Sequence, residues 1–117
     1  RGVMLPEPEI TEEVTPQQLA SLLENPGAIA LVDCREADEW QFNRIEGARH
    51  WPLSRFPDSG PALMSSTDLP MVVYCHHGMR SLRLTRWLRQ QGFTRVYSLH
   101  GGIDQWSCDI DPAVSRY

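Results

Sequence analysis

Hydrophobic positions along the chain fall into short clusters divided by polar and glycine-containing stretches, and the clusters alternate between two kinds. Leu19, Leu22 and Leu23 recur at helical spacing behind Thr15-Pro16, an N-cap followed by proline at the first helical position, and Asn25-Pro26-Gly27 ends the segment. Ile29-Ala30-Leu31-Val32 is a continuous, partly β-branched apolar run that predicts a strand buried on both faces, giving way to Asp33-Cys34-Arg35. Glu36 to Phe42 predicts a short helix, Gly47 to Leu53 a brief extended segment, and Pro57 to Ser66 a surface loop. A second buried strand, Met71-Val72-Val73-Tyr74, runs into Cys75-His76-His77-Gly78-Met79-Arg80. Ser81 then opens a helix carrying Leu82, Leu84, Trp87 and Leu88, which Gly92 closes. Arg95 to Leu99 predicts a third strand, followed by Gly101-Gly102 and a short helix from Ile103 to about Trp106.

Strands alternating with helices predict an α/β fold, a parallel sheet covered by helices on both faces. Ligands in such folds bind beyond the carboxyl ends of the strands, where Asp33 and Cys75 both fall. At 117 residues the expectation is a single domain spanning 1–117. Residues 1–8 read as a flexible extension or an addition to the native chain, with Met4 a candidate native start.

Fifteen acidic against eleven basic residues leave a net charge of −4, which argues against nucleic acid as a partner because phosphate neutralisation needs a basic excess. Every basic residue is Arg, so Schiff-base chemistry on this chain and a P-loop lysine are both excluded. Three scattered cysteines, Cys34, Cys75 and Cys108, do not suit a disulfide scaffold. No run approaches the roughly 18 apolar residues of a membrane span. These features predict a cytoplasmic protein, most simply a monomer, with no membrane partner.

The chemistry concentrates at Cys75. It sits between a strand end and a helix start, where backbone N–H groups lack helical partners and the helix dipole favours negative charge. Gly78 permits a turn with positive φ that aims successive amides at the sulfur, and Arg80 adds a permanent cation, so the loop favours a thiolate nucleophile. His76 and His77 could add charge when protonated. Adjacent Cys-His-His is poorly spaced for one metal, and neither a metal nor a cofactor is expected. Cys34 and Cys108 read as packing residues, and Arg80, Arg83, Arg86 and Arg89 as a solvated basic stripe.

The segment Met71 to Trp106 resembles the catalytic half of a single-domain rhodanese, a sulfurtransferase: strand, Cys75-His76-His77-Gly78-Met79-Arg80-Ser81, helix, Val96-Tyr97-Ser98-Leu99, and Gly101-Gly102-Ile103 with Trp106. Upstream, Asp33-Cys34-Arg35 resembles the family's Asp-x-Arg strand end, Glu39 with Phe42 its next helix, and Gly47-Ala48 its mid-chain turn. Two departures are Asn43-Arg44-Ile45, where the family often has Gly-His-Ile, and Cys34, where it is usually aliphatic.

The resemblance implies a rhodanese-like three-layer sandwich with about five parallel strands. It also implies a reaction in which Cys75 takes sulfur from thiosulfate or a similar small anionic donor as a persulfide. Cyanide, a thiol or a sulfur-carrier protein would then collect that sulfur. His76, His77, Gly78, Met79, Arg80 and Ser81 would form the binding loop, with Arg80 holding the donor's oxyanion or bracing the loop. Asp33 and Arg35 would support the pocket. Related cysteine phosphatases and arsenate reductases share the fold and thiolate, but four residues between Cys75 and Arg80 are one fewer than those enzymes use. A non-catalytic rhodanese-like binding module is the other alternative, and such modules usually lack the cysteine.

Overall fold

The computed structural model describes residues 5–25, 27–55 and 69–117. The expected loop from Pro57 to Ser66 lies outside them, as do Pro26 and Met4. Five strands form one parallel sheet: β1 (Glu13–Val14), β2 (Ala30–Asp33), β3 (Arg49–His50), β4 (Met71–Tyr74) and β5 (Val96–Leu99), in the order β1-β5-β4-β2-β3. The helices are α1 (Pro16–Leu23), α2 (Ala37–Phe42), α3 (Met79–Gln90) and α4 (Gly102–Asp109), with a 3-10 turn at Leu53–Arg55.

All four residues of β2, β4 and β5 are buried, so both faces of the central sheet are covered and the strands read as unbroken apolar runs. Alternate side chains divide between two cores. Val32, Cys34, Val73 and Cys75 pack with Leu84 and Leu88 of α3 on one face, while Leu31, Val72 and Tyr74 pack with Leu19 of α1 and Ile103 and Trp106 of α4 on the other. The result is the expected three-layer α/β sandwich.

Local chemistry sets the helix ends. Thr15 accepts from the Gln18 amide at 3.1 Å while the Gln18 side chain accepts from the Thr15 amide at 2.8 Å, a reciprocal cap that fixes the start of α1. At the end of α3, the amides of Gly92 and Phe93 donate back to Arg89 and Leu88, and Phe93 packs in the same core as Leu88, which closes the last turn.

Three differences from the sequence reading have physical causes. β1 has only two residues, too few to show a period-2 pattern, and exists because it pairs with Ser98 and Leu99. Helix α3 starts at Met79 rather than Ser81, because Gly78 is its N-cap, so Arg80 and Ser81 lie in its first turn. The arginines of α3 are not a uniformly solvated stripe. Arg86 pairs with Glu12, and Arg89 donates to the carbonyls of Val96, Pro8 and Thr11 at 2.9, 2.8 and 3.1 Å. Leu5 packs on the core and the Tyr97 hydroxyl is bonded to the Pro6 carbonyl, which holds these two residues against the rest of the fold.

Candidate active site

The sheet places two strand ends side by side. β2 and β4 run in register from Ala30↔Met71 to Asp33↔Tyr74, and the Cys34 amide continues the ladder by donating to the Tyr74 carbonyl at 3.0 Å. Asp33, Arg35 and Cys75 therefore all lie at the carboxyl edge of the sheet.

Cys75 is 1% exposed, and its sulfur lies at the start of α3. Sγ accepts from the Gly78 amide at 3.1 Å and the Ser81 amide at 3.3 Å, with the Ser81 hydroxyl at 3.4 Å. The loop can close around the sulfur because Gly78 has a φ of 102° and its α-carbon faces the backbone of Gly101. A Cβ there would come within 3.2 Å of the Gly101 nitrogen. From below, the first amides of α4 hold the loop's carbonyls: Ile103 donates to Cys75 at 2.9 Å and Asp104 to His76 at 3.1 Å. Helix amides that would otherwise lack partners thus tie the two glycine-led segments together.

Around this cradle the other expected residues take different positions. Nη1 and Nη2 of Arg80 donate to Oε1 and Oε2 of Glu39 at 2.8 and 2.9 Å, fastening the first turn of α3 to α2. That contact holds the Glu39 carboxyl down to about 2, against the opposing effect of partial burial. Both terminal nitrogens of Arg80 are thereby engaged by a single carboxylate.

His76 is stacked between His77, 3.7 Å away, and Tyr117, 3.8 Å away. Burial first, then the neighbouring His77, lowers its pKa, which disfavours the charged ring. Met79 is exposed. One ligand atom each from His76, His77 and Asp104 lie within 4.8 Å of one another, but the Asp104 carboxylate is taken by Arg116 at 2.8 and 3.2 Å and the two imidazoles are stacked face to face. We therefore read no metal centre from this trio.

Asp33 and Arg35 are both 0% exposed and pair at 2.7 Å, with the Arg35 amide and Nε also donating to Asp33. The remaining guanidinium protons go to Asn43 and to the Tyr117 hydroxyl, which in turn donates to Glu39 at 2.7 Å. Two residues apart in sequence and both buried, this pair has every guanidinium donor of Arg35 bonded within the protein. Cys34 is buried beside Cys75 on the same face, and burial pushes its thiol pKa up, leaving it a packing residue.

Sequence reasoning gave no contact at the site to Asn43, Ser98, Gly102 or Tyr117, nor a partner to Glu39. Ser98 carried a signal, a polar residue inside an otherwise apolar strand; the others reach the site only through contacts distant in sequence.

Comparison with known proteins agrees with this geometry. The chain is 30% identical over 119 residues to the rhodanese-like/PpiC domain-containing protein 12, chloroplastic, of Arabidopsis thaliana, covering 97% of this chain but 40% of that protein. It is 36% identical to the thiosulfate sulfurtransferase GlpE of Glaesserella parasuis, over 84% of this chain and 88% of the relative. Among solved structures, the human single-domain sulfurtransferase TSTD1 superposes with a TM-score of 0.72 at 26% identity, over 85% of this chain and 97% of that one. The family model for the rhodanese-like domain matches residues 15–109. With that match spanning most of the chain and the sulfur cradle lying within it, the chain belongs to the rhodanese-like sulfurtransferase family.

Proposed function

We propose that the protein transfers sulfane sulfur by way of a persulfide on Cys75, with thiosulfate or a similar small anion as donor. The observation that carries this reading is the Cys75 sulfur receiving the Gly78 and Ser81 amides at the N-terminus of a 12-residue helix. Those donors favour the thiolate, and the same helix N-terminus favours the negative charge that moves to the outer sulfur once the persulfide forms. The thiolate attacks the outer sulfur of thiosulfate, the S–S bond to the sulfonate breaks, and sulfite leaves with the bonding pair. The persulfide outer sulfur is then taken by a nucleophile, cyanide in an assay and a thiol or sulfur-carrier protein in the cell, regenerating the thiolate in a ping-pong cycle.

Several features fit this chemistry. Cys75 is enclosed, which suits a small donor, and no metal or cofactor is required by the steps. Arg80 serves by bracing the loop through Glu39, and Asp33 with Arg35 by supporting it. Bacterial relatives of similar length are named thiosulfate sulfurtransferases, which supports the donor class. Three free cysteines suit a reducing, cytoplasmic setting, and no described helix is long and apolar enough to cross a membrane.

Intact-mass spectrometry tests the reading. Incubation with thiosulfate is expected to add one sulfur atom, about 32 Da, that cyanide removes and that Cys75→Ser never acquires. No adduct on protein with reduced Cys75 would overturn it.

A further inference from the structure

Beneath the cradle, two buried hydroxyls form a chain that ends on the sulfur. Ser81 Oγ lies 2.7 Å from Ser98 Oγ, 3.3 Å from the Gly78 carbonyl oxygen and 3.4 Å from Cys75 Sγ. Both serines are 0% exposed. Ser98 comes from the middle of β5, between Tyr97 and Leu99, where an apolar residue would satisfy the packing and a hydroxyl needs a partner.

Counting protons decides what the pair does. Ser81 has one hydroxyl proton and three neighbours, and the Gly78 carbonyl can only accept. While the sulfur is a thiol, its own proton can go to Ser81 Oγ. Once the sulfur is a thiolate or persulfide it too can only accept, so the Ser81 proton must turn to it if the hydroxyl is to contribute. Ser81 Oγ then needs a donor of its own, and the Ser98 hydroxyl, at an ordinary O–H···O length, is placed to be that donor. A hydroxyl that is itself accepting a hydrogen bond donates more strongly.

We propose that Ser98 is a positioning residue for the sulfur chemistry, donating to Ser81 so that the Ser81 proton is directed at the anionic Cys75 sulfur instead of the Gly78 carbonyl. This deepens the sulfur-transfer reading and rests on it for its purpose, although the hydrogen-bond chain can be tested without any sulfur donor. Among the described residues, the other charged and titratable groups about the sulfur are these. Cys34 comes from the end of β2. Arg80 comes from α3, with Glu39 of α2 opposing it, and His76 and His77 from the loop. Asp104 of α4 is held by Arg116, and β5 contributes only the Ser98 hydroxyl.

The test is the pH profile of iodoacetamide alkylation of Cys75, read by mass on its peptide so that exposed Cys108 does not interfere. Ser98→Ala and Ser98→Val are expected to move the profile to higher pH and to slow alkylation on its acid limb about three- to tenfold, a fraction of what a hydrogen bond to a charged group supplies. Ser98→Thr, the same shape as valine but with the hydroxyl, is expected to keep the wild-type profile. A Ser98→Ala profile superimposing on wild type, or Ser98→Thr falling with Ser98→Val, overturns the proposal whether or not thiosulfate forms the persulfide. An absent persulfide beside the expected alkylation pattern would overturn sulfur transfer and leave the hydroxyl chain standing.

Discussion

Arg80 and Glu39, 41 residues apart, meet fork to fork, with both terminal nitrogens of the arginine on the two oxygens of the glutamate at 2.8 and 2.9 Å. The cation beside the Cys75 loop is thereby committed to α2, and the Tyr117 hydroxyl and the Glu36 amide donate to the same carboxylate. Loop position and the location of α2 become one property.

Arg80→Ala and Glu39→Ala should therefore lower the rate of persulfide formation to similar extents, and the double variant should be little worse than either single one. A double-mutant cycle in stopped-flow kinetics with thiosulfate checks this. Additive losses would mean that Arg80 acts on the donor independently of Glu39.

The same pair sets an acid limit on stability. The Glu39 carboxyl is depressed from 4.5 to about 2 in the folded protein, so its ionised form stabilises the fold above about pH 4.5 and that contribution is lost as pH falls toward 2. Because Arg80 is about one-third exposed, solvent screening limits the effect to about 1 kcal/mol. Urea unfolding of Glu39→Gln should show a smaller loss of stability between pH 5 and 2 than wild type by about that amount. Parallel curves would contradict the assignment.

Arg35→Met should destabilise by about 3–5 kcal/mol, because it leaves the Asp33 carboxylate buried without its counter-charge and frees the Asn43 and Tyr117 acceptors. Denaturant midpoints measure this directly. A loss under 1 kcal/mol would show that water reaches Asp33.

Gly102→Ala should disturb the loop from beneath. Gly102 has a φ of 64°, and a Cβ there would lie 2.4 Å from the His76 carbonyl oxygen and 2.6 Å from that of Cys75, both backbone atoms that cannot step aside alone. A stability loss of about 2 kcal/mol or more is expected. Persulfide yield should also fall at temperatures where the variant is fully folded, which separates loop displacement from unfolding. Wild-type yield in folded protein would show that the loop tolerates the shift.

Much of the site was legible because its causes are local. The apolar run Met71 to Tyr74, the cysteine that follows it, Gly78 and the helical spacing of Leu84 and Leu88 lie within one stretch of chain, and each follows from a backbone period or a steric rule. The reciprocal cap at Thr15 and Gln18 is local in the same sense. These features determined the α/β alternation, the parallel sheet and the position of the thiol between a strand and a helix.

What the tertiary structure decided lies between residues with no periodic relation. Glu13 and Val14 become a strand only because β5 offers them an edge. Arg80 turns to Glu39, Ser81 meets Ser98, Arg35 reaches Tyr117, and Gly102 packs beneath Cys75. Each contact joins segments whose separation along the chain is set by folding topology, while sequence pattern records only which face of its own element a residue occupies. The sequence by itself thus determined where the Cys75 thiol lies and the elements that present it; the packing of those elements alone determined which side chains hold the loop and which hydroxyls reach the sulfur.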